Sequence, residues 1–534
     1  MRFPITHLAA SLALALSLQV RAAQEPGLPP IGKVELKANR AFHLDGKPFF
    51  PLMAWLQDAN NLPAVKACAM NTVAGYWPGS SGTKDVCEYY GLVEKAGLYA
   101  VMPYHPGLKG RPALLGYIHD DEPDLTQQVS DATIDPAKQL KINASTPLWK
   151  ILDGDRTSWS VLDPLQNASI TLQLRQPVTV ESLALWPTIS KGLAVPREVV
   201  FAGDGQEILK AVVENRKGEQ KFPLPRPATF KALTMKVTAT HPGEQEWGSI
   251  GEIEGFDRDG RNVLLSPPRT VPRATPAETL KSYERIKASD PSRPVFMTLT
   301  GNFHTFFKQI PDELRAAYPE YVKAADVIGY DIYPIYGWNK PEWIHLVQEA
   351  TDRLVKMAGG KPVYAWIETS RGGQWTGPLE GQKEVTPAHI RAEVWMSICR
   401  GATAIGYFTH IWKPSYAQFG VPEANRQATR RINEQITRLT PAILGSEPKR
   451  PVSLEAEGGV KVDLLAREGA DGLYLFSVNY DERLRPATAR IRVEGLAAGS
   501  AVTVVDEDRT IKADAGTFTD TFEPLAVHIY RVAR

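Results

Sequence analysis

Apolar and polar positions in residues 34–127 form two alternating kinds of segment. Runs that are apolar almost throughout, such as FFPLMAW (49–55) and LYAVMPYH (98–105), are separated by segments with helical spacing, such as TKDVCEYYGLVEKAG (83–97). Strands without in/out alternation, separated by helices, predict a parallel sheet covered on both faces. Four such strands are predicted, at 49–55, 71–77, 98–105 and 113–123.

The pattern changes between residues 130 and 258. Helical spacing gives way to short alternating segments, for example at 168–177, 180–187 and 230–240, with Gly, Pro and Asp between them. This pattern is typical of a β-sandwich.

The β/α pattern then resumes, with four more apolar strands at 294–301, 326–334, 362–370 and 404–412. Four strands before the insertion and four after it make eight, the number that closes a β/α barrel. After a helix at 423–444, alternating strands continue to residue 534 and predict a second β-sandwich.

The predicted fold is therefore multidomain and combines α/β with all-β architecture. A (β/α)8 TIM barrel is interrupted after strand 4 by a β-sandwich and is followed by a C-terminal β-sandwich. The predicted segments are a signal peptide (1–23), the first half of the barrel (34–127), the inserted sandwich (130–258), the second half of the barrel (259–444) and the C-terminal sandwich (445–534).

The first 23 residues have a cationic start, an apolar stretch from Leu8 to Leu18, and small residues at Ala22 and Ala23. This arrangement predicts a secretory signal that is too short to span a bilayer. No later segment is long and apolar enough for a membrane helix. We therefore expect a secreted or periplasmic protein.

Charge excludes some classes of partner. The chain of 534 residues carries 61 Lys and Arg against 60 Asp and Glu, without a long basic or acidic run. Neither nucleic acid nor an anionic membrane is therefore the expected partner, and a neutral one such as carbohydrate fits better. The oligomeric state stays open.

Cysteine content gives little support for disulfides or zinc. Only Cys68, Cys87 and Cys399 occur, and their spacing does not match a zinc site. A Cys68–Cys87 bridge remains an alternative to free thiols.

Active sites of β/α barrels lie at the carboxyl ends of the strands, so polar and aromatic residues there are the first candidates for function. Two glutamates, Glu122 after strand 4 and Glu368 at the end of strand 7, are the predicted catalytic pair. The predicted substrate-binding residues are Trp55, Trp77, His105, Asp121, Asn302, Tyr330, Asp331, Tyr333, Trp366, His410 and Trp412.

For each glutamate, a purely structural role is an alternative to catalysis. Glu368 ends the apolar run VYAWIETS, and a buried charge needs partners or a task; a salt bridge to Arg371 or Arg400 would suffice. Glu122 lies in the acidic run HDDEPD, where neighbouring acids raise one another's pKa unless the run is simply a solvated loop. Carboxylates about 5 Å apart suit a retaining glycosidase, and a separation of about 6.5 Å or more suits an inverting one.

The segments GYIHDDEP and VYAWIETS resemble the strand ends of the retaining β/α-barrel glycoside hydrolases, and residues 386–412 resemble the last helix and strand of its β-galactosidase-like members. The resemblance implies Glu122 as general acid/base and Glu368 as nucleophile, acting on a β-linked oligo- or polysaccharide. It also implies that Tyr330 or Tyr333 bonds the nucleophile. This family usually has Asn before its acid/base, where this chain has Asp121.

The inserted segment, with LWKILDGDRTSW and WGSIGEIEGF, is similar to the discoidin or coagulation factor type C fold of bacterial carbohydrate-binding modules. The similarity implies carbohydrate binding and a structural calcium with oxygens from Asp153 and Asp155. Because the insertion follows strand 4 directly beside Glu122, we expect it to overhang the barrel cleft and to shape or recruit substrate. A local Asx turn explains the two aspartates nearly as well. Trp159, Trp186 and Trp247 are expected in the core rather than on sugar.

No catalytic metal or redox cofactor is expected. His105, His119, His304 and His410 come from different strand ends and would have to converge to bind one, and sugar hydrogen bonding explains them equally well. The rival hypothesis is a non-catalytic carbohydrate-binding protein or adhesin with a degenerate barrel. A transglycosylase is a third alternative, and the sugar, its linkage and endo or exo action stay open.

Overall fold

The computed structural model describes residues 28–130, 132–143, 145–308 and 310–534, so the predicted signal segment lies outside the described residues. The chain divides into two compact units. One comprises the chain up to Asp121 with Thr279–His304 and Pro319–Arg534, and the other comprises Glu122–Glu278 with Thr305–Tyr318. No helix within the described ranges has the length and apolar character needed to cross a membrane.

The first unit contains a closed barrel of eight parallel strands, which confirms the predicted barrel. Each strand pairs with the next in the chain, and β8 pairs with β1. β4 pairs with β5 although the whole insertion separates them in sequence. The strands are β1 (Leu52–Trp55), β2 (Thr72–Ala74), β3 (Tyr99–Pro103), β4 (Leu114–Ile118), β5 (Val295–Thr300), β6 (Val327–Asp331), β7 (Val363–Glu368) and β8 (Ala404–Phe408).

Helices connect most of these strands. They are α1 (Leu62–Ala67), α2 (Val86–Lys95), α3 (Pro276–Ser289), α4 (His345–Met357), α5 (Pro387–Cys399) and α6 (Glu423–Ile443), with short helices at Asp312–Ala316 and Tyr318–Tyr321. In α2, Asp85 accepts the backbone N–H groups of Cys87 and Glu88, which caps the helix. Its buried residues recur at helical spacing and form one apolar face.

Aromatic side chains fill the barrel interior. Trp366 lies 5.1 Å from Trp55 and 5.6 Å from Tyr364 between ring centroids, and Tyr364 lies 6.0 Å from Phe296. The indole of Trp366 donates to Oγ1 of Thr298 at 3.0 Å, and the Tyr364 hydroxyl shares a 2.8 Å hydrogen bond with the same oxygen. The interior is therefore a packed core and not a channel.

Two glycines make room for these rings. A Cβ at Gly329 would come within 2.0 Å of the Tyr364 ring, and a Cβ at Gly406 within 2.1 Å of the Trp366 ring. Both distances are far below van der Waals contact. Strands β6 and β8 therefore need glycine at these positions, because β7 places a large ring against each of them.

A small antiparallel sheet of Val34–Leu36, Phe42–Leu44 and Lys47–Phe49 precedes the barrel. Its Phe42 is fully buried and stacks with Phe296 at 6.0 Å between centroids. The sheet therefore contributes to the same core as the barrel interior.

The second unit contains an antiparallel sheet system of eight strands. The predicted strands at 168–177 and 180–187 form one strand, Ser169–Pro187, with register shifts between Gln173 and Val178 and between Val180 and Ser182. The other strands are Thr133–Pro136, Lys141–Ile142, Ser160–Asp163, Val195–Gly203, Gln206–Val212, Gln220–His241 and Gly248–Phe256. Thr126–Val129 and Arg269–Pro272 pair separately as a ribbon.

Two antiparallel sheets follow α6. One contains Val452–Ala456, Ala487–Val493 and Thr517–Phe522, and the other contains Val462–Gly469, Gly472–Asn479, Ala501–Val504, Arg509–Lys512 and Val527–Ala533.

These sheets pack on the barrel helices. Phe476 stacks on Trp395 of α5 with centroids 5.5 Å apart. Asp463, almost fully buried, accepts hydrogen bonds from Arg400 at 2.6 Å and from Gln348 at 3.0 Å. Aromatic stacking and a buried ion pair therefore join this sandwich to the barrel.

The three cysteines are free. Sγ of Cys87 lies 3.0 Å from Nδ1 of His105, whereas Cys68 is buried elsewhere and its backbone carbonyl accepts a hydrogen bond from Asn433. The Cys68–Cys87 bridge that the sequence left as an alternative is therefore absent.

We expect Gly406→Ala to lower the free energy of unfolding by about 1–3 kcal/mol, because the added methyl group collides with the Trp366 ring. Urea unfolding measures the change. Gly91→Ala is the control, since a Cβ there meets nothing within 4 Å and alanine should stabilise α2 by about 0.5–1 kcal/mol. Equal effects of the two substitutions would contradict this account of the interior.

Candidate active site at the carboxyl ends of the barrel strands

Glu368 is the last residue of β7, and its side chain is fully buried. Its carboxylate accepts the backbone N–H of Ile335 at 3.0 Å and that of Tyr336 at 2.5 Å, both from the loop after β6. Two amide donors converge on this carboxylate, so the loop is shaped around a negative charge.

The salt-bridge alternative for Glu368 does not hold. Arg371 pairs with Glu384 at 3.0 Å, and Arg400 pairs with Asp463. Glu368 has instead a second carboxyl group as its neighbour, that of Glu393 in the middle of α5.

Glu393 is also fully buried, and neither of its carboxyl oxygens has a hydrogen-bond partner among the described residues. Its carboxyl group is close enough to that of Glu368 for the two to affect each other's pKa. Burial raises the pKa of both groups, and the charge of Glu368 raises that of Glu393 further. The backbone amides favour the ionised form of Glu368. We therefore infer that Glu393 is the protonated member of the pair and that Glu368 is the anion.

Aromatic rings surround the loop that holds Glu368. The aromatic cluster, defined here as Tyr333, Tyr336, Phe408, Trp412 and Tyr416, lies at the carboxyl ends of β6 and β8. Phe408 lies 4.9 Å from Tyr333 and 5.3 Å from Tyr336, and it is parallel to Trp412 at 6.1 Å. Tyr416 packs edge-on to Trp412 at 5.3 Å.

The cluster reaches the surface. Trp77, which follows β2, lies 6.4 Å from Tyr416. Trp77 is 49% exposed and Tyr416 is 46% exposed. Exposed aromatic faces beside a strand-end carboxylate are suited to the apolar faces of sugar rings.

His410 contacts the aromatic cluster through Tyr416. Its Nε2 donates to the backbone carbonyls of Trp55 and Leu56, both at 3.1 Å, so Nδ1 is the acceptor and faces the hydroxyl of Tyr416 at 3.5 Å. Burial lowers the pKa of His410. The ring is therefore neutral near pH 7 and positions Tyr416 without adding charge.

The loop after β7 is held by one amide side chain. Oε1 of Gln382 accepts the N–H groups of Gly372 and Gly373, and its Nε2 donates to the carbonyls of Gly373 and Gly377. Gly372 has φ +110°, a backbone conformation in which a residue with a side chain would be strained. A Cβ there would also lie 2.8 Å from the carbonyl oxygen of Lys413. The held loop presents Trp375, which is 86% exposed.

Three predicted substrate-binding residues lie inside the fold. Trp55 and Trp366 are buried in the barrel core. Tyr330 is fully buried on the other face of β6, where its hydroxyl donates to the carbonyl of Val347 in α4. Alternate residues of a strand point to opposite faces, so Tyr330 faces the helices and not the barrel mouth. Of the two tyrosines, Tyr333 is the one in the aromatic cluster.

The remaining predicted residues are distributed around the strand ends. Asp331 is the last residue of β6, and its register partners are Thr300 and Trp366. Asn302 lies in the single turn Gly301–Phe303 that follows β5. His105 accepts the N–H of Gly107 at 3.1 Å and caps the turn Pro106–Leu108.

The other histidines lie apart. Nε2 of His119 contacts the carbonyl of Ala324 at 2.8 Å, and Nε2 of His304 lies 3.4 Å from Glu349. The described residues contain no group of three or more His, Cys, Asp or Glu side chains that could hold a metal ion.

Glu122 belongs to the second unit, and Asp121 ends the first segment of the first unit. Asp121 is exposed, whereas Glu122 is partly buried and lies 3.6 Å from Nη1 of Arg273. Glu122 has φ +48°, an uncommon conformation for a residue with a side chain. The chain turns sharply at this glutamate, and such strain often accompanies a positioned functional group.

The inserted sandwich contains a buried carboxyl group next to the Asp-Gly-Asp turn. Glu252 accepts the N–H of Gly154 at 2.8 Å, and burial and nearby Asp153 raise the pKa of Glu252 to about 8. Asp153 accepts the N–H of Asp155, and Asp155 accepts that of Thr157. These bonds form the local Asx turns. The carboxylates of the turn alone fall short of the six to eight oxygens of a calcium site, so calcium stays a prediction.

The tryptophans of this sandwich are not all in its core. Trp159 is 46% exposed, which makes the expected core position wrong. Trp186 is half-buried, donates to Glu254 at 2.7 Å and has Arg156 over its ring at 4.5 Å. Trp247 is also half-buried.

Sequence reasoning missed Glu393, Tyr336 and Tyr416. Glu393 is a lone acid in the apolar stretch AEVWMSIC, which is the same signal that identified Glu368. Tyr336 and Tyr416 lie in the loops after β6 and β8, outside the strand ends themselves, and their approach to Phe408 and Trp412 depends on how those loops fold.

No protein-family model matches the sequence, and no curated protein matches it. Several solved structures of carbohydrate-binding modules match about a quarter of the chain. The family 32 module of NanJ from Clostridium perfringens, solved with galactose, matches 24% of this chain and 98% of its own at 13% identity and a TM-score of 0.20.

Two other Clostridium perfringens structures are similar. A family 32 module solved with GalNAc-β-1,3-galactose covers 24% of this chain and 96% of its own at 12% identity and a TM-score of 0.20. The CBM32-1, CBM32-2 and M60 catalytic domains of ZmpB match at 14% identity and a TM-score of 0.21, and this chain covers 16% of that structure. At such low values, the similarity establishes neither ligand nor activity.

We expect Glu393→Gln to make stability less dependent on pH. The folded Glu368–Glu393 pair holds a proton above the usual pKa of 4.5, so stability of the wild type is lost as pH rises from about 5 through the raised pKa values. One proton corresponds to about 1.4 kcal/mol per pH unit, and the slope should fall by up to that amount. Urea unfolding between pH 5 and 8 measures it.

Glu384→Gln is the matched control, because Glu384 is exposed and its ion-pair partner within the described ranges is Arg371. It should leave the slope unchanged. The same pH slope in Glu393→Gln and in the wild type would show that the two buried carboxyl groups do not share a proton.

Proposed function

We propose that this protein is a retaining glycoside hydrolase that acts on a β-linked oligo- or polysaccharide. The observation that carries the proposal is the carboxylate of Glu368, which ends β7, accepts two backbone amides and lies beside an aromatic cluster that reaches the surface. A barrel, a strand-end carboxylate and exposed aromatic rings together suit sugar chemistry.

Glu368 is the proposed nucleophile. With Glu393 protonated, Glu368 is ionised and attacks the anomeric carbon, which forms a glycosyl–enzyme ester and breaks the glycosidic bond. The two amides must release part of their hold as the ester forms. They hold the carboxylate in one orientation before attack, which lowers the entropic cost of the reaction.

Glu122 is the proposed general acid and base. It follows β4, protonates the departing oxygen in the first step, and removes a proton from water in the second. Nη1 of Arg273 lies 3.6 Å from its carboxylate. Asp121 occupies the place of the Asn found in the family that the sequence resembles, so we propose that it accepts a hydrogen bond from a sugar hydroxyl.

Activity of Glu368→Gln and Glu122→Gln tests these roles. We expect Glu368→Gln to lose at least about 10³-fold in kcat on aryl β-glycosides, since the nucleophile is gone. Glu122→Gln should lose about 10²-fold or more with poor leaving groups and much less with nitrophenyl leaving groups, which need no proton. The substrate is chosen first by screening the wild type on a panel of aryl glycosides and glycans.

Glu384→Gln, in the loop after β7, serves as the control and should keep wild-type rates. If both active-site variants hydrolyse a responsive substrate as fast as the wild type, the proposed pair is wrong. A product of inverted anomeric configuration would instead indicate direct displacement by water.

A second candidate, a non-catalytic carbohydrate-binding protein, is favoured by one observation. Glu368 is fully buried under Ile335 and Tyr336, whereas a nucleophile has to touch its substrate. In this alternative the pair Glu368–Glu393 only shapes the loop, and the aromatic cluster with Trp159 of the inserted sandwich supplies the binding surfaces.

Trp159→Ala tests sugar binding by the inserted sandwich. We expect this substitution to weaken binding to a responsive glycan about tenfold or more, because stacking on an exposed indole is lost, while the melting temperature stays within about 2 °C. Calorimetric titration of the full chain measures both binding and its loss. Trp375→Ala tests the exposed indole of the barrel in the same assay. Unchanged affinity in Trp159→Ala would show that Trp159 is not part of the binding surface.

A further inference from the structure

A cavity of about 450 Å³ lies between the barrel and the C-terminal sandwich, away from the candidate active site. Its wall includes the loop around Arg40, the residues Gly401–Thr403 that lead into the amino end of β8, and Arg467 of the strand Val462–Gly469. Phe408 and the aromatic cluster lie at the opposite end of β8.

Two guanidinium groups face this cavity, and protein groups satisfy them poorly. Nε of Arg40 is buried and has no hydrogen-bond acceptor among the described residues. The side chain of Arg467 is only 15% exposed, and it donates to the carbonyl of Ala466 at 3.1 Å. Burial lowers the pKa of each arginine, and the charge of Arg40 lowers the pKa of Arg467 further.

Negative charge near the pair is scarce. The carboxylate of Glu447 lies 4.0 Å from Nη1 of Arg467, but its side chain is 87% exposed. Among the described residues that line the cavity, Glu447 is the one acid. A carboxylate in water screens a buried guanidinium weakly, so the cavity keeps an excess of positive charge.

The fold fixes Arg40 in this position. Its carbonyl accepts the hydroxyl of Thr403 at 2.8 Å, and neighbouring Asn39 donates to the carbonyl of Leu444 at 3.0 Å. Gly401 has φ +97°, and a Cβ there would come within 2.6 Å of Nη2 of Arg40. The absence of a side chain at Gly401 therefore lets the guanidinium lie against the backbone that leads into β8.

We propose that this cavity is a binding site for a small oxyanion ligand, a carboxylate, sulfate or phosphate, held between Arg40 and Arg467. Planar guanidinium groups bind such oxygens with paired hydrogen bonds, and the gain is larger when the groups are already partly removed from water. The volume accommodates an inorganic anion or the acidic end of a sugar acid. The site is independent of the proposed hydrolase activity.

Isothermal titration of the full chain tests the site. The probes are inorganic sulfate, inorganic phosphate and D-glucuronate, with D-glucose as the neutral control, all at one fixed ionic strength set with chloride. We expect saturable binding of at least one anion and none of glucose. Stronger binding of glucuronate than of sulfate and phosphate would assign a sugar acid, and the reverse order would assign an inorganic anion.

Three variants locate the binding. Arg40→Gln and Arg467→Gln should each weaken anion affinity at least about tenfold. Glu447→Gln should strengthen it about two- to fivefold, because an acid that competes for Arg467 is removed. Glu447 is on the surface, so this variant tests the site even if an arginine variant fails to fold. Arg197→Gln, an exposed arginine of the inserted sandwich, should leave affinity unchanged.

Two results would overturn the proposal. One is the absence of saturable binding of every anion tested to the wild type. The other is binding that Glu447→Gln leaves unchanged or weakens, because the anion would then lie elsewhere on the chain.

Discussion

One hydroxyl group inside the barrel, Oγ1 of Thr298, connects β5 to β7 through the rings of Tyr364 and Trp366. Both rings belong to β7, and Glu368 follows two residues after the second. The rings fill the interior and pack where Gly329 and Gly406 have no Cβ, so a shift of β7 along its neighbours would move the rings away from the glycines that accommodate them. The position of the strand-end carboxylate therefore follows from packing in the middle of the barrel.

Three charged side chains that are fully or partly removed from water differ in their partners. Asp463 has a charged partner in Arg400, Glu368 has backbone amides and a protonated neighbour, and Arg40 has neither. The first arrangement joins two domains, and the second keeps an anion where chemistry is proposed. The comparison distinguishes a structural ion pair from a group whose charge is left available for a ligand.

The sequence was sufficient to predict the barrel strands, because a strand buried on both faces is an uninterrupted apolar run flanked by helices. The small sheet within residues 34–49 was not predicted, because each of its strands has only three residues, too few to show a hydrophobic periodicity. Strand parity explains the error at Tyr330: one residue of difference decides whether a side chain faces the mouth or the helices. The prediction for Trp159 was wrong for another reason: Trp159 lies in a loop, where exposure depends on contacts with residues distant in sequence.

Candidate site residues on strand ends could be found, but those contributed by helices and long loops could not. Glu393 reaches Glu368 from the helix layer, and Tyr416 reaches Trp412 because its loop folds back so that Ile411 and Ala417 exchange backbone hydrogen bonds. These approaches depend on tertiary packing that no local pattern encodes. Lone acids within apolar helices are nevertheless recognisable, and they are worth the same attention as lone acids at strand ends.

The stack of Trp395 on Phe476 has a consequence for how the chain can be divided. Trp395 is fully buried, and one of the rings that cover it comes from the C-terminal sandwich. A gene shortened to end after α6 would leave that indole in water and remove the partner of Arg400. The last sandwich therefore cannot be treated as a detachable accessory, and recombination that exchanges modules among such proteins would have to carry it along with the barrel.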